Sequence, residues 1–167
     1  IDLFVQHRVV SRIYQGVGHW LLGTGFMALA VLSMPLVSVE SLLFLAMMAN
    51  PLLVLGQIYL YLAVVRFLEE KSSLWKSIAF YGLFLLFYYY HIFVDNSLTK
   101  RTILVSIFLV IVSFLTAYRL LKAKKDYVAT STKFTASFFL LFAGFMTFRL
   151  VYTMMMPRAE SYQDQSL

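Results

Sequence analysis

Along this chain polar and apolar positions alternate in long blocks. Five apolar runs, at about residues 17–37, 41–67, 74–94, 102–121 and 134–156, are separated by short polar connections. A helix rises 1.5 Å per residue, so about 30 Å of hydrocarbon takes roughly 20 residues to cross. Each run is therefore long enough to span a bilayer. None shows the roughly ten-residue alternating pattern of barrel strands, and helices satisfy their own backbone polar groups where water is absent. The pattern predicts an all-α fold: an integral membrane bundle of five transmembrane helices, forming one membrane domain over residues 1–167. The second run is overlong, about 39 Å at helical rise, so tilt or a kink at Asn50-Pro51 is expected to absorb the excess.

Composition supports this reading. Hydrophobic residues make up 61% and charged residues 13% of the chain, against roughly 45–50% and 25% in soluble domains. The net charge of +6 would suit a nucleic-acid surface, but the cations cluster in the connections instead of lining one face. No nucleic-acid partner is expected; the partner is membrane lipid. Short cytoplasmic loops accumulate Lys and Arg. Arg66, Lys71 and Lys76 surround the second connection, and Arg119, Lys122, Lys124, Lys125 and Lys133 the fourth. The first has only Glu40, and the third has Asp95 with Lys100 and Arg101. The start, with Arg8 and Arg12, is thus expected in the cytoplasm and the end, with Arg158, Glu160 and Asp164, outside. Trp20 and Trp75 then fall at the inner interface and Tyr88, Tyr89 and Tyr90 at the outer one, as amphipathic rings prefer. The absence of Cys rules out disulfides and thiolate sites. A first residue of Ile1 suggests part of a longer protein.

Candidate chemistry is sparse. His19 enters the first run near one face, whereas His91 lies about 24 Å along the third run from Trp75. The two cannot share a metal whose imidazole ligands bind at about 2 Å, and His7 with His19 lacks a carboxylate. No metal, haem or other cofactor is expected. No acid pair, activated nucleophile or phosphate loop is present, so no catalytic residues are assigned and this segment is not expected to be an enzyme. Asn50, and Gln57 two turns on, are strong polar groups at depth. They are expected to bond a neighbouring helix or a carbonyl freed by Pro51, or else to line a pocket beside a hinge. Gly18, Gly23, Thr24, Gly25 and Ala28, with Ala46, Ala49 and Gly56, permit close helix approach. Met154, Met155 and Met156 suit interfacial packing, with a soft copper site as the alternative.

Arg149 stands out in the apolar run "FMTFRLVYTMMMP". It lies about 24 Å along its helix from Lys133, in the outer half of the bilayer. It can snorkel to headgroups beside Tyr152. Turned inward, it meets the level of Tyr88, His91, Asp95 and Glu40. Arg149, Tyr152, His91, Tyr88, Asp95 and Glu40 form the candidate ligand site for an anion or polar headgroup; Asn50, Pro51, Gln57 and Gly23 are the candidate packing and hinge residues.

Several pieces occur in order: "GVGHWLLGTGFMALAVL", "LAMMANPLLVLGQIYLYLAVVRFL", "RTILVSI", "TAYRLLKAK" and "FMTFRLVYTMM". Together they resemble the multi-span input region ahead of GGDEF (diguanylate cyclase) domains, and ahead of histidine kinases, in bacterial signalling proteins. The resemblance covers nearly the whole chain and rests on order and spacing. It implies a sensory module in a bacterial cytoplasmic membrane, a small or lipid-like ligand, seven helices in all, a cytoplasmic output domain beyond Leu167, and a homodimer. A transporter or channel subunit, and a membrane enzyme or haem subunit, are the alternatives.

Overall fold

The computed structural model describes residues 16–35, 43–70, 73–95, 97–123 and 129–155. Their regular structure consists of five helices: α1 (Val17–Ser33), α2 (Leu43–Phe67), α3 (Leu74–Phe93), α4 (Leu98–Lys122) and α5 (Ala129–Met155). The all-α expectation holds for these residues.

The helix ends differ from the apolar blocks. Helix α4 begins a turn before residue 102, because Ser97 caps it by accepting from the Lys100 amide at 3.3 Å. Arg101, expected in a connection, is instead helical and 3% exposed. Helix α5 also starts a turn before residue 134, over Thr130 and Ser131. Polarity marks the edge of the apolar block, and a capped helix runs past it. Helix α1 stops at Ser33, where the Met34 amide turns to the Val31 carbonyl and Pro35 has no amide to continue the ladder. Helix α2 closes on a left-handed Glu69 (φ 58), with Glu69 N–H bonded to the Arg66 carbonyl and Glu70 N–H to that of Val65. This paired closure satisfies two terminal carbonyls and turns Glu70 toward Arg119 of α4, with which it forms an ion pair.

Two antiparallel hairpins, α1–α2 and α4–α5, form the body and meet through α2 and α4. Helix α3 rests mainly on α4. The α1–α2 seam is set by small residues a heptad apart. A methyl group at Gly16 would lie 2.5 Å from the Ala63 carbonyl, and one at Gly23 2.9 Å from that of Gly56. The same register brings Ala30 level with Ala49, and both are buried. Gly18 and Gly25 face open space, and Thr24 and Ala28 are exposed. Only one face of α1 therefore makes the close approach expected of it; the side chain of Ala46 lies outside the described residues.

Three segments are long and apolar enough to cross a membrane, Met47–Phe67, Leu98–Lys122 and Thr130–Met155. The count is three by length and composition, against the five expected. Helix α1 has 17 residues, about 26 Å at helical rise, and α3 is diluted by Tyr88, Tyr89, Tyr90 and His91. Large apolar side chains face outward on every side, among them Leu32, Leu86, Phe93, Leu141 and Phe148, each more than 65% exposed. Such a surface suits lipid as the surrounding solvent.

Candidate functional site

Pro51 lies inside α2 and is buried. Lacking an amide, it cannot bond the carbonyl four residues earlier, that of Met47. Tyr88 of α3 supplies the missing donor: its hydroxyl donates to Met47 O at 3.1 Å, and Asn50 Nδ2 donates to the same hydroxyl at 3.2 Å. Tyr81, two turns earlier on α3, donates to Pro51 O at 3.2 Å, and Tyr89 reaches Met48 Sδ at 3.7 Å. Helix α3 is thus clipped to the proline of α2 by tyrosine hydroxyls. Asn50 is joined to the Pro51 break through the Tyr88 hydroxyl, and Tyr88, at 2% exposure, points into the bundle. Tyr81 was not anticipated; its seven-residue spacing from Tyr88, which repeats one helix face, was the available signal.

One layer toward the Lys/Arg-rich end, Gln57 Nε2 donates to Ser113 Oγ of α4 at 2.9 Å, with both residues buried. This bond joins the two hairpins. Ser113 gave little sign in the sequence, since serines in membrane helices commonly bond their own backbone, as Ser106 does to Thr102 O at 2.8 Å.

At the opposite end, Asp95 is held by Lys100 Nζ at 2.8 Å and His91 Nδ1 at 3.1 Å. The Lys100 hydrogen bond, seconded by His91, keeps its carboxyl below the usual range despite some desolvation. Arg149 is half-buried, one turn beyond the buried Met146. Among the described residues it makes no ion pair. Helix α5 packs mainly on α4, and Met146, one turn from Arg149, joins the core cluster that holds Tyr88 and Ile92 of α3. Tyr152 is exposed and stacks on Phe148 at 6.4 Å. Glu40 lies outside the described residues. The structure thus brings together Tyr88 with Asn50 and His91 with Asp95, while Arg149 and Tyr152 stand on another helix. His19 packs its ring against Tyr59 at 5.9 Å, at the far end from His91.

The scan of family models, the curated proteins and the solved structures returns no match. The class is set by the chain itself: an all-helical protein, among the described residues, with three helices able to cross a membrane.

Proposed function

We propose that this chain is a membrane-embedded sensory module in which all five helices cross the bilayer, with the Lys/Arg-rich end in the cytoplasm. A ligand on the other side, an anion or polar headgroup met by Arg149, shifts the packing of α3 against α2, and that shift passes to a cytoplasmic signalling partner. The observation that carries the reading is the Pro51 clip. Helix α3 is fastened to α2 by exchangeable hydroxyl bonds, each worth about 1 kcal/mol in membranes, so a modest difference in ligand affinity can shift the two packings. The resemblance to input regions of diguanylate cyclases supports the same reading. A transport path has less support, since Gln57 and Ser113 are spent on each other.

The test uses the absence of native Cys. Spin labels on Ile78→Cys and Leu121→Cys, both exposed positions on α3 and α4, report their separation in lipid nanodiscs. Two distance populations are expected, with their ratio moved by Tyr88→Phe. A single distance unmoved by that change overturns the reading.

A further inference from the structure

Helix α3 is packed along only part of its length. Its buried residues, Phe84, Tyr88 and Ile92, all lie in the second half. The first turns carry Trp75 at 78% and Ile78 at 50% exposure. Where α3 parts from its neighbours, a crevice of about 320 Å³ opens between α2, α3 and α4, at the Lys/Arg-rich end. Ile58, Phe80 and Val112 give it an apolar floor, and Lys76, Ser77 and Arg119 a polar rim.

We propose that this crevice binds an anionic phospholipid, with its phosphate at Lys76 and Ser77 and an acyl chain along the floor. Arg119 is already paired with Glu70. Lys76 has no carboxylate partner among the described residues. Among the described residues at this rim, Lys76 and Arg119 against Glu70 leave a single positive charge, which matches the single negative charge of a phosphodiester. A soluble anion would leave the apolar floor bare, and a zwitterionic lipid would bring a second cation to Lys76. The crevice is partly open, so it suits a headgroup whose chains continue into the bilayer. Trp75, in the same first turn, is the kind of amphipathic ring that anchors a helix at the headgroup level. The proposal goes beyond the sensory reading and rests only on α3 lying in the membrane.

Trp75 is the natural reporter, because the chain has two tryptophans and Trp20→Phe leaves it alone. The full chain carrying Trp20→Phe is placed in phosphatidylcholine vesicles containing a minor fraction of brominated phosphatidylglycerol, or the same fraction of brominated phosphatidylcholine. The anionic lipid is expected to quench Trp75 more strongly. Lys76→Gln, at an exposed position that should not disturb folding, is expected to reduce that preference about fivefold, as for loss of one headgroup-level cation. Lys122→Gln, at the same end but off the crevice, is expected to leave it unchanged. Equal quenching by the two lipids overturns the proposal, as does no quenching by either. So does an equal loss on Lys122→Gln, which would mark diffuse surface charge. Displacement of the anionic lipid by added inorganic phosphate would replace it with a site for free anions. Because none of these outcomes involves the Pro51 clip, they stand independently of the sensory reading.

Discussion

The Tyr88 hydroxyl donates to the carbonyl of Met47 at 3.1 Å, the one α2 carbonyl whose in-helix donor Pro51 removes. Proline in a buried membrane helix leaves such a carbonyl to be satisfied from outside. Here the donor comes from the neighbouring helix, so the proline break in the hydrogen-bond ladder and the α2–α3 contact are a single feature.

Tyr88→Phe should therefore destabilise the chain by about 1 kcal/mol, leaving Met47 O and Asn50 Nδ2 without their partner. Pro51→Ala restores an amide to α2, so the penalty of Tyr88→Phe should shrink in that background. Reversible unfolding in bicelles, followed by circular dichroism across the double-mutant cycle, measures the coupling. Additive effects would show that the hydroxyl and the proline act separately.

The α1–α2 seam makes a prediction that separates glycines of similar sequence context. Gly23→Ala places a methyl group 2.9 Å from the Gly56 carbonyl and should cost about 1–3 kcal/mol through overpacking. Gly18→Ala and Gly25→Ala meet open space and should stay within about 0.5 kcal/mol of the parent. The same unfolding measurement decides; equal costs at the three positions would argue against the seam.

Those glycines also show what could be read before the fold was known. The helices were legible because each is a long apolar block. Their ends were not, since hydropathy does not register a cap such as Ser97, or a helical Arg101 sheltered against the bundle. Helix α1 is apolar on all sides, so its periodicity selects no face, and it is Gly56 and Leu60 of α2 that distinguish Gly23 from Gly25. Depth along a helix could be counted, which placed Arg149, His91 and Asp95 in one layer. Direction around the axis cannot be counted this way, and His91 bonds Asp95 one turn along its own chain while Arg149 stands on α5. In the sequence Tyr88 reads equally as an amphipathic ring at the outer interface and as a member of the Arg149 cluster. The carbonyl that draws it inward belongs to a residue 41 positions away.

Gln57 and Ser113 allow a test of how a buried polar bond holds two hairpins together. Ser113→Ala should cost about 1–3 kcal/mol, because the Gln57 amide loses its acceptor while remaining buried. Pairing it with Gln57→Met, which keeps the volume and removes the amide, should recover most of that loss. If the double variant is as unstable as Ser113→Ala alone, the cost lies in packing and not in the unsatisfied amide. Thermal unfolding in a common detergent compares the three chains.

Asp95 gives the fold a dependence on pH at the end away from the basic connections. Lys100, bonded at 2.8 Å, is the larger cause of its lowered pKa and His91 a smaller one. A carboxyl lowered on folding binds fewer protons in the folded chain than in the unfolded one. Its stabilisation is thus fully present above the ordinary Asp value of about 3.9 and is lost as pH falls through the lower folded value. Carbon-13 titration of the Asp95 carboxyl should give a midpoint below that of the unfolded chain. Lys100→Met should raise the midpoint, and His91→Gln should raise it less. A larger rise on His91→Gln would reverse the order of the two partners and make the α3 end, not the start of α4, the group that holds this carboxylate ionised.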